Sequence, residues 1–290
     1  MEARAGLARR ALILSPHAGS LTAGVRERLR RAFTDHLILE FDPAEDFRRL
    51  LAEDATVVVA GGDGTVGHVA RLLADTAHPL GVLGLGTFNN FARALGIPDD
   101  LDRAIQLVRE GAPRPVTLGR VNGRPFLEAA AVGIFGEAMG LGQSLKDLRF
   151  GELGEHLSRL VTAMPFHYRL TGDLTAEGTA LSLVFANTPS TGARLGIAEG
   201  PLTDRFLELS VHAGESRRDI AGRLAGSILL HRHQEHGTTR RFGRLRLDTT
   251  PVEPVRLTDP TVRIYGDDQE IGSTPATIEA HLGGLQVILP

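Results

Sequence analysis

The feature that most constrains this chain is a β-branched run that leads directly into a glycine-rich loop and an amphipathic pattern. Val57 to Ala60 is apolar, Gly61 to Gly67 holds further glycines and one acidic residue, and apolar residues then recur at helical spacing. This order predicts a buried strand, a tight loop and a helix. Glycines allow close approach of the backbone to a ligand, and a helix N-terminus offers N–H groups and a positive dipole end. We therefore expect this corner to bind an anion, most often a phosphate.

Strand and helix patterns alternate through the first part of the chain. The predicted strands are Ala11–Leu14, Leu37–Phe41, Thr56–Ala60 and Leu80–Leu83, and the predicted helices lie near residues 21–33, 43–51, 66–73 and 101–108. The second of these helices is predicted from Asp42-Pro43-Ala44-Glu45, which supplies a cap, a proline at the first helical position and a glutamate three residues after the cap. Alternation with short connections favours a parallel sheet whose ligands bind at the carboxyl ends of the strands.

The pattern changes after about residue 114, where short strand-like segments are separated by Gly and Pro. These segments are Val116–Val121, Pro125–Ala131, Tyr168–Thr171, Leu181–Phe185, Leu207–Val211, Phe242–Leu247, Val262–Tyr265 and Leu285–Leu289, with one helical passage at 148–164. Such a series favours an antiparallel sandwich. We therefore predict a Rossmann-like α/β domain over residues 1–115 and an antiparallel β-sandwich domain over residues 116–290, whose last strand can return to the first domain.

Composition excludes several classes of protein. The 290 residues include no cysteine, which excludes disulfides and thiolate chemistry, and the net charge of −3 does not indicate a nucleic-acid partner. Lys146 is the only lysine. A Walker-type loop and a protein kinase each need a lysine in a motif that this chain lacks. The N-terminal apolar run ends at Ser15-Pro16 and no stretch is long enough to span a bilayer, so we expect a cytoplasmic protein.

The loop also fits the dinucleotide-binding pattern, because Gly62, Gly64 and Gly67 follow a strand and precede a helix. That pattern requires an acidic residue at the end of the next strand to hold a ribose. Here the next strand ends in Gly84-Leu85-Gly86-Thr87, which contains no carboxylate. The sequence therefore disfavours a dehydrogenase.

Two segments carry a resemblance to a known family. Gly61-Gly62-Asp63-Gly64-Thr65, followed after one strand by the segment from Gly86 to Pro98, resembles the diacylglycerol kinase catalytic-domain superfamily, which holds bacterial lipid kinases and sphingosine kinases. NAD kinases share the first motif, whereas the second is specific to the lipid-kinase branch. The loop that begins at Ser15 resembles the family's opening loop, with serine in place of asparagine.

The resemblance implies an ATP-binding first domain and a second domain that takes the lipid acceptor. It implies that ATP, with Mg²⁺, is bound by backbone N–H groups and side chains of Ser15, Gly61, Gly62, Asp63, Gly64, Thr65, Val66, Gly67, Gly86, Thr87 and Asn89. The role of Asp63 stays open at this point. Its carboxylate can contact Mg²⁺ or a loop amide, or it can fix the loop as an Asx turn.

The family places its catalytic carboxylate in an Asp-Gly-Glu motif ahead of a Thr-Pro pair. Aligned on Thr274-Pro275, the family's aspartate falls on Asp267 and its glutamate falls on Gln269. A shift of one residue places the aspartate on Asp268 instead. The resemblance therefore implies Asp267, or in the other register Asp268, as the base that deprotonates a lipid hydroxyl.

A second family segment, Asp-Gly-x-Leu-Asp, supports a Mg²⁺–water network in the family. In this chain it reads Asp204-Arg205-Phe206-Leu207-Glu208. Asp204 and Glu208 keep oxygen ligands suited to Mg²⁺, while Arg205 replaces the glycine and can repel a cation. The resemblance implies Asp204 and Glu208 as metal ligands.

The resemblance implies an ATP- and Mg²⁺-dependent kinase that phosphorylates a lipid hydroxyl, with diacylglycerol or a related lipid as acceptor. The alternatives are an NAD kinase-like enzyme and a catalytically weakened regulator that binds nucleotide or lipid on the same fold. We expect a lipid partner at the membrane surface, a peripheral location, no nucleic acid, and a homodimer as a candidate assembly. The basic and apolar alternation from Arg240 to Arg246 predicts a half-exposed strand, whose arginines can dock on anionic lipid if they face one way.

Overall fold

The computed structural model describes residues 7–16, 18–139, 165–191, 195–196, 201–213, 239–252, 262–267 and 269–290. By its internal contacts the chain divides into two units. Unit 1 consists of Met1–Val116 with Leu282–Pro290, and unit 2 consists of Thr117–His281.

Unit 1 is an α/β unit built on a parallel sheet. Its elements are β1 (Ala8–Leu14), α1 (Ala23–Ala32), β2 (Leu37–Glu40), a 3₁₀ helix (Phe47–Leu50), β3 (Leu51–Gly61), α2 (Asp63–Leu72), β4 (Pro79–Gly84), α3 (Asn90–Ala94) and α4 (Leu101–Glu110). The strand order is β2-β1-β3-β4, and all of these pairs are parallel. The end of a long C-terminal strand, β18 (Ala276–Leu289), lies parallel to β4, with Gln286 opposite Pro79.

The parallel strands are apolar because both of their faces are covered. Val57, Val58 and Val59 on β3 are completely buried. Helices contribute the covering side chains, such as Val69 of α2 and Val108 of α4. A continuous apolar run is the pattern expected of a parallel strand that is buried on two sides.

The helix predicted from Asp42 does not form. The Asp42 carboxylate instead accepts a hydrogen bond from the Ala44 N–H at 2.8 Å, and the chain turns. The capping residue is Asp46, which begins the 3₁₀ helix Phe47–Leu50. Leu51 then starts β3. The prediction was wrong because an aspartate before a proline suits a turn as well as a helix start.

Unit 2 is built from antiparallel strands. They are β5 (Ala112–Val121), which begins in unit 1, β6 (Arg124–Phe126), β7 (Ala129–Gly133), β8 (Phe166–Gly172), β9 (Ala176–Ala180), β10 (Ser182–Ala186), β11 (Ser190–Thr191), β12 (Leu195–Gly196), β13 (Leu207–His212), β14 (Arg240–Phe242), β15 (Arg244–Pro251), β16 (Arg263–Gly266), β17 (Gln269–Ser273) and the start of β18. One sheet has the order β14-β13-β10-β7-β16-β17. In a second sheet, β18, β15, β8 and β9 are neighbours, and β5 pairs with β18 and β6.

The core of unit 2 lies between these two sheets. Leu245 and Leu247 of β15 share a buried cluster with Leu183 and Phe185 of β10. Because side chains alternate along a strand, every second residue enters this core and the others face away from it. The predicted fold class, a Rossmann-like α/β unit followed by an antiparallel β-sandwich, is confirmed.

The predicted strand Pro125–Ala131 is interrupted. It forms β6 and β7, with Leu127 and Glu128 between them, and the N–H groups of these two residues bind a side chain rather than a neighbouring strand. The helical passage predicted at 148–164 lies outside the described residues.

Candidate active site

The first candidate site lies at the carboxyl ends of three neighbouring strands of unit 1. Ser15 follows β1, the end of β3 at Gly61 leads through Gly62 into the first turns of α2, and the segment from Gly86 to Asn89 lies between β4 and α3. The Ser15 N–H donates to the Ala60 carbonyl at 3.0 Å, and the Thr65 hydroxyl donates to Ser15 Oγ at 3.0 Å. The loops are therefore joined directly to one another.

Close approach of the backbone explains two of the glycines. A Cβ atom added to Gly86 would lie 2.6 Å from the Cα of Gly62. A Cβ on Gly61 would lie 2.9 Å from the Cβ of Thr65 and 3.0 Å from that of Ser15. At these distances any larger residue would force the neighbouring atoms apart. Gly61 and Gly86 are therefore required for this close approach of the loops.

Asp63 connects the loop after β3 to the loop after β4. Its Oδ2 accepts a hydrogen bond from the Asn89 N–H at 2.9 Å. Burial raises the pKa of the Asp63 carboxyl above its usual value of 3.8, whereas hydrogen bonds from the backbone N–H groups of Asn89, Asn90 and Phe91 lower it. Of the roles left open by the sequence, binding of loop amides is the one that these contacts display.

Asn89 closes its own loop through its side chain. The Asn89 Oδ1 accepts from the Gly86 N–H at 2.8 Å, and Nδ2 donates to the Gly86 carbonyl at 3.1 Å. Its backbone is left-handed, with φ +51. Asparagine tolerates this conformation better than most residues, which explains its place before α3.

The N-terminus of α2 points its N–H groups into this corner. Gly62 is the N-cap residue, and among the described residues no side chain caps the helix there. The Cβ position of Gly64 faces open space, and Thr87 is exposed. Uncapped N–H groups and the positive end of the helix dipole favour an anion at this position.

The structure thus brings the predicted nucleotide residues of unit 1 together. Ser15, Gly61, Gly62, Asp63, Gly64, Thr65, Gly86, Thr87 and Asn89 all lie in these joined loops, and the remaining two, Val66 and Gly67, are buried in the first turns of α2. Only the backbone of Val66 can take part, because its side chain belongs to the core.

The predicted catalytic residue lies in unit 2, in the turn between β16 and β17. The Asp267 carboxylate accepts hydrogen bonds from the Leu127 N–H, at 2.9 Å to Oδ2, and from the Glu128 N–H, at 2.7 Å to Oδ1. The Asp267 N–H donates to the Ala129 carbonyl at 2.8 Å, and the residue has φ +51. The carboxylate is therefore held in a fixed orientation. Asp268 lies outside the described residues.

Asn187, the residue directly after β10, forms hydrogen bonds with the same region. Its Nδ2 donates to the carbonyl groups of Thr117 and Leu127, both at 2.8 Å, and its N–H donates to the Glu128 carbonyl at 2.8 Å. Asn187 is buried. The 127–128 segment that binds Asp267 is thereby anchored on both of its sides.

The predicted metal ligands are arranged differently from a cation site. The guanidinium of Arg241 makes a hydrogen-bonded ion pair with Asp204 Oδ2, and its Nε lies 3.8 Å from Glu208 Oε1. Within the described part of the chain, no group of three or more His, Asp or Glu side chains could hold a metal ion. As placed, Asp204 and Glu208 do not fit a magnesium site.

Sequence reasoning missed the partners of these carboxylates. Arg241 was predicted to lie on a half-exposed strand whose arginines can dock on lipid, whereas in the structure its strand pairs with β13 and Arg241 lies opposite Glu208. Leu127 and Glu128 act through backbone N–H groups, which any residue supplies. No side-chain pattern could have identified them.

Comparison with known proteins gives a consistent family. Residues 11–121 match the family described as "Diacylglycerol kinase catalytic domain". A protein of Pseudomonas savastanoi pv. phaseolicola named "Probable lipid kinase YegS-like" is 32% identical over 259 residues, which cover 85% of this chain and 81% of that protein. A diacylglycerol kinase of Mycobacterium tuberculosis is 30% identical over 296 residues, covering 96% and 93% of the two chains.

Solved structures share the fold. A diacylglycerol kinase from Bacillus anthracis has a TM-score of 0.68 at 23% sequence identity, and the match covers 98% of this chain and 97% of that one. An NAD kinase from Archaeoglobus fulgidus in complex with ATP has a TM-score of 0.55 at 13% identity, covering 97% and 92%. At these identities the likeness shows the fold alone.

The fold consists of an α/β unit with joined glycine loops and a β-sandwich unit, and the relatives identify the family. The chain belongs to the diacylglycerol kinase catalytic-domain family of lipid kinases. Among the described helices, none is both long enough and apolar enough to cross a membrane.

Proposed function

We propose that this protein is an ATP-dependent lipid kinase that transfers the γ-phosphate to a lipid hydroxyl, with diacylglycerol or a related lipid as the acceptor. The observation that carries the proposal is the meeting of Gly62 and Gly86 at the uncapped N-terminus of α2. It is supported by relatives that are named lipid kinase and diacylglycerol kinase.

In this proposal the phosphates of ATP bind to backbone N–H groups rather than to a lysine. The N-terminal turn of α2 supplies donors and a positive dipole end, and the 86–89 loop lies beside it. Fixed backbone dipoles need no reorganisation when charge develops during transfer. Mg²⁺ would accompany the triphosphate and neutralise its charge, as it does in other phosphoryl-transfer enzymes.

We assign acceptor activation to Asp267. The N–H groups of Leu127 and Glu128 hold the Asp267 carboxylate in a fixed orientation. A carboxylate oriented in this way can accept the proton of a lipid hydroxyl. General-base help of this kind contributes on the order of 10²–10⁴ in rate.

An NAD kinase-like activity is the alternative enzyme. It is favoured by the structural likeness to an ATP-bound NAD kinase. The segment from Gly86 to Pro98 and the sequence relatives over most of the chain support the lipid-kinase branch instead.

A regulator that binds nucleotide without turnover is the third candidate. Its support comes from departures from the family pattern, namely Gln269 in place of glutamate and Arg205 in place of glycine. This reading predicts ATP binding, no product, and an Asp267→Asn variant that behaves like wild type.

One assay separates these candidates. The purified full-length chain is incubated with γ-labelled ATP and Mg²⁺, with diacylglycerol in mixed micelles, a total lipid extract, or NAD as acceptor. We expect label in the organic phase with the lipid acceptors and no labelled NADP. Label transferred to NAD but not to lipid would contradict the proposal, and ATP binding without any product would support the regulator.

The Asp267→Asn variant tests the assigned base. We expect a loss of turnover of about 10²-fold or more, with ATP affinity and melting temperature near those of wild type, because asparagine still accepts one of the N–H hydrogen bonds. The matched control is Asp173→Asn, an exposed carboxylate that binds the N–H groups of Gly243 and Arg244 in another turn. If Asp267→Asn is as active as Asp173→Asn, Asp267 is not the base.

We also propose that the protein works as a peripheral protein at the membrane surface and in the cytoplasm, since its acceptor is a lipid. The arginines between 240 and 246 do not support a docking face for this. Arg241 lies on β14 against Asp204, whereas Arg244 and Arg246 lie on β15 beside Glu279 and Asp248. Arg241, Arg244 and Arg246 belong to two sheets and each is paired with a carboxylate. The homodimer and the membrane contact stay predictions.

A further inference from the structure

Asp204, Glu208 and Arg241 form a charged cluster in unit 2, at and just before the pair of strands β13 and β14. Glu208 and Arg241 lie opposite each other in the antiparallel pair of β13 and β14, so their side chains share a face. The Glu208 side chain is only 6% exposed. The ring of Phe206 lies 5.2 Å from the Arg241 guanidinium carbon and adds a cation–π contact.

The backbone fixes Asp204 at this position. The Thr117 hydroxyl donates to the Asp204 carbonyl, and the Thr117 N–H donates to the Leu202 carbonyl at 2.7 Å. The Asp204 N–H donates to the Pro201 carbonyl at 3.1 Å. The turn before β13 is thus held by hydrogen bonds to Thr117 of β5.

The buried Glu208 carboxylate requires a compensating positive charge, because an uncompensated charge is costly in a medium of low dielectric constant. In the family pattern that charge is a divalent cation with its water shell. Here the guanidinium of Arg241 donates a hydrogen bond to Asp204 and forms a longer ion pair with Glu208, with 3.8 Å between Nε and Oε1.

We infer that Arg241 takes the place of the divalent cation in unit 2, so that this region of the protein is stable without metal. Because the positive charge belongs to a side chain, a chelator cannot remove it, and unit 2 does not need Mg²⁺ to neutralise these carboxylates. The inference concerns the stability of unit 2 and does not rest on the proposed function. It also predicts that removal of the arginine alone leaves a carboxylate pair that can recruit a cation.

The test uses thermal unfolding of the full-length chain without nucleotide, in excess EDTA and in excess Mg²⁺ at matched ionic strength. We expect the wild-type melting temperature to be the same in both. Arg241→Met should melt roughly 4–8 °C lower in EDTA, and Mg²⁺ or Ca²⁺ should restore about half of that loss. Arg244→Met, which removes an exposed arginine paired with Glu279, is the matched control and should show no dependence on divalent cations.

A double variant keeps the inference testable if Arg241→Met alone does not fold. In Glu208→Gln/Arg241→Met the buried charge is removed together with its partner, so the chain should fold, melt above Arg241→Met in EDTA and show no shift with Mg²⁺. The inference is overturned if wild type is stabilised by Mg²⁺ in the absence of nucleotide. It is also overturned if Arg241→Met gains nothing from divalent cations, or if the double variant gains as much as the single one.

Discussion

At the scale of single residues, the candidate site depends on glycines, which have no side chain, as well as on polar side chains that hold the loops. Gly62 and Gly86 let two loops approach so closely that a single methyl group would separate them. Asp63 and Asn89 then hold the loops in register through backbone hydrogen bonds. The corner is rigid because each loop is fixed by the other.

We predict that Gly86→Ala weakens ATP binding by about tenfold or more, because its Cβ would lie 2.6 Å from the Gly62 Cα and the loops must open. Isothermal titration with ATP and Mg²⁺ measures this. Gly24→Ala on α1 is the control, because its Cβ would meet only Thr22 Oγ1 at 3.9 Å. The control should bind ATP normally and gain a few tenths to about 1 kcal/mol of stability. Normal ATP affinity in Gly86→Ala would show that the close approach is not needed.

Asp63 should give stability a pH dependence of defined sign. Burial raises its pKa in the folded protein above the usual value of 3.8, so the folded state holds the proton more tightly than the unfolded state. Its contribution to the free energy of unfolding is therefore fully present below pH 3.8 and is lost as the pH rises through the folded pKa. Urea unfolding of wild type and Asp63→Asn across this range should show a difference that changes with pH in that direction. A constant difference would contradict the raised pKa.

At the scale of elements, capping residues decide where helices begin. Asp100 caps α4 by accepting from the Arg103 N–H at 3.0 Å. Asp42 was predicted to cap a helix but forms a turn, and Asp46 caps a short 3₁₀ helix instead. The local sequence shows which residues can cap a helix. Which of them does so depends on where the next strand begins, and here β3 begins at Leu51.

Asp46 should contribute to stability with the opposite pH dependence to Asp63. Its hydrogen bond with the Arg48 side chain lowers its pKa to about 2, so its contribution is present above the unfolded value of 3.8 and lost as the pH falls through about 2. Because both side chains are partly exposed, Asp46→Asn should cost less than about 1 kcal/mol at neutral pH. Denaturant unfolding at pH 7 and at acid pH measures the loss and its disappearance. The exposed Asp54→Asn is the control and should match wild type; a loss that persists at pH 2 would contradict the assignment.

At the scale of the whole molecule, the chain returns to its first unit at its C-terminus. Residues 282–290 belong to unit 1, where the end of β18 pairs with β4. Strands that are distant in sequence are thereby joined in one sheet, and the edge of β4 is covered. Unit 1 therefore requires the last residues of the chain.

We predict that Val287→Ala lowers the free energy of unfolding by about 2–3 kcal/mol, because Val287 is completely buried where β18 meets β4. Its neighbour Gln286→Ala, on the less buried face, should stay within about 0.5 kcal/mol of wild type. Chemical denaturation of the two variants provides the comparison. Equal stabilities would show that the returning strand contributes little to unit 1.

Much of unit 1 could be predicted from its sequence. Val57 to Ala60 is apolar because both faces of β3 are covered, and the glycines after it are dictated by the loop. The residues of the glycine corner could be predicted to lie together because they are local in sequence and follow neighbouring strands. In unit 2 the short strands were recognised by their alternation, but their pairing was not, because pairing joins segments that are far apart along the chain.

The sequence by itself determined the class of the fold, the glycine corner and the family, since each of these depends on periodicity or on a continuous motif. Only the tertiary structure decided that Asp267 is held by the N–H groups of Leu127 and Glu128, and that Arg241 faces Asp204 and Glu208. The physical reason is that these contacts join backbone groups and side chains from distant strands. Which residues become neighbours depends on the register of the strands, and the register cannot be read from the linear sequence.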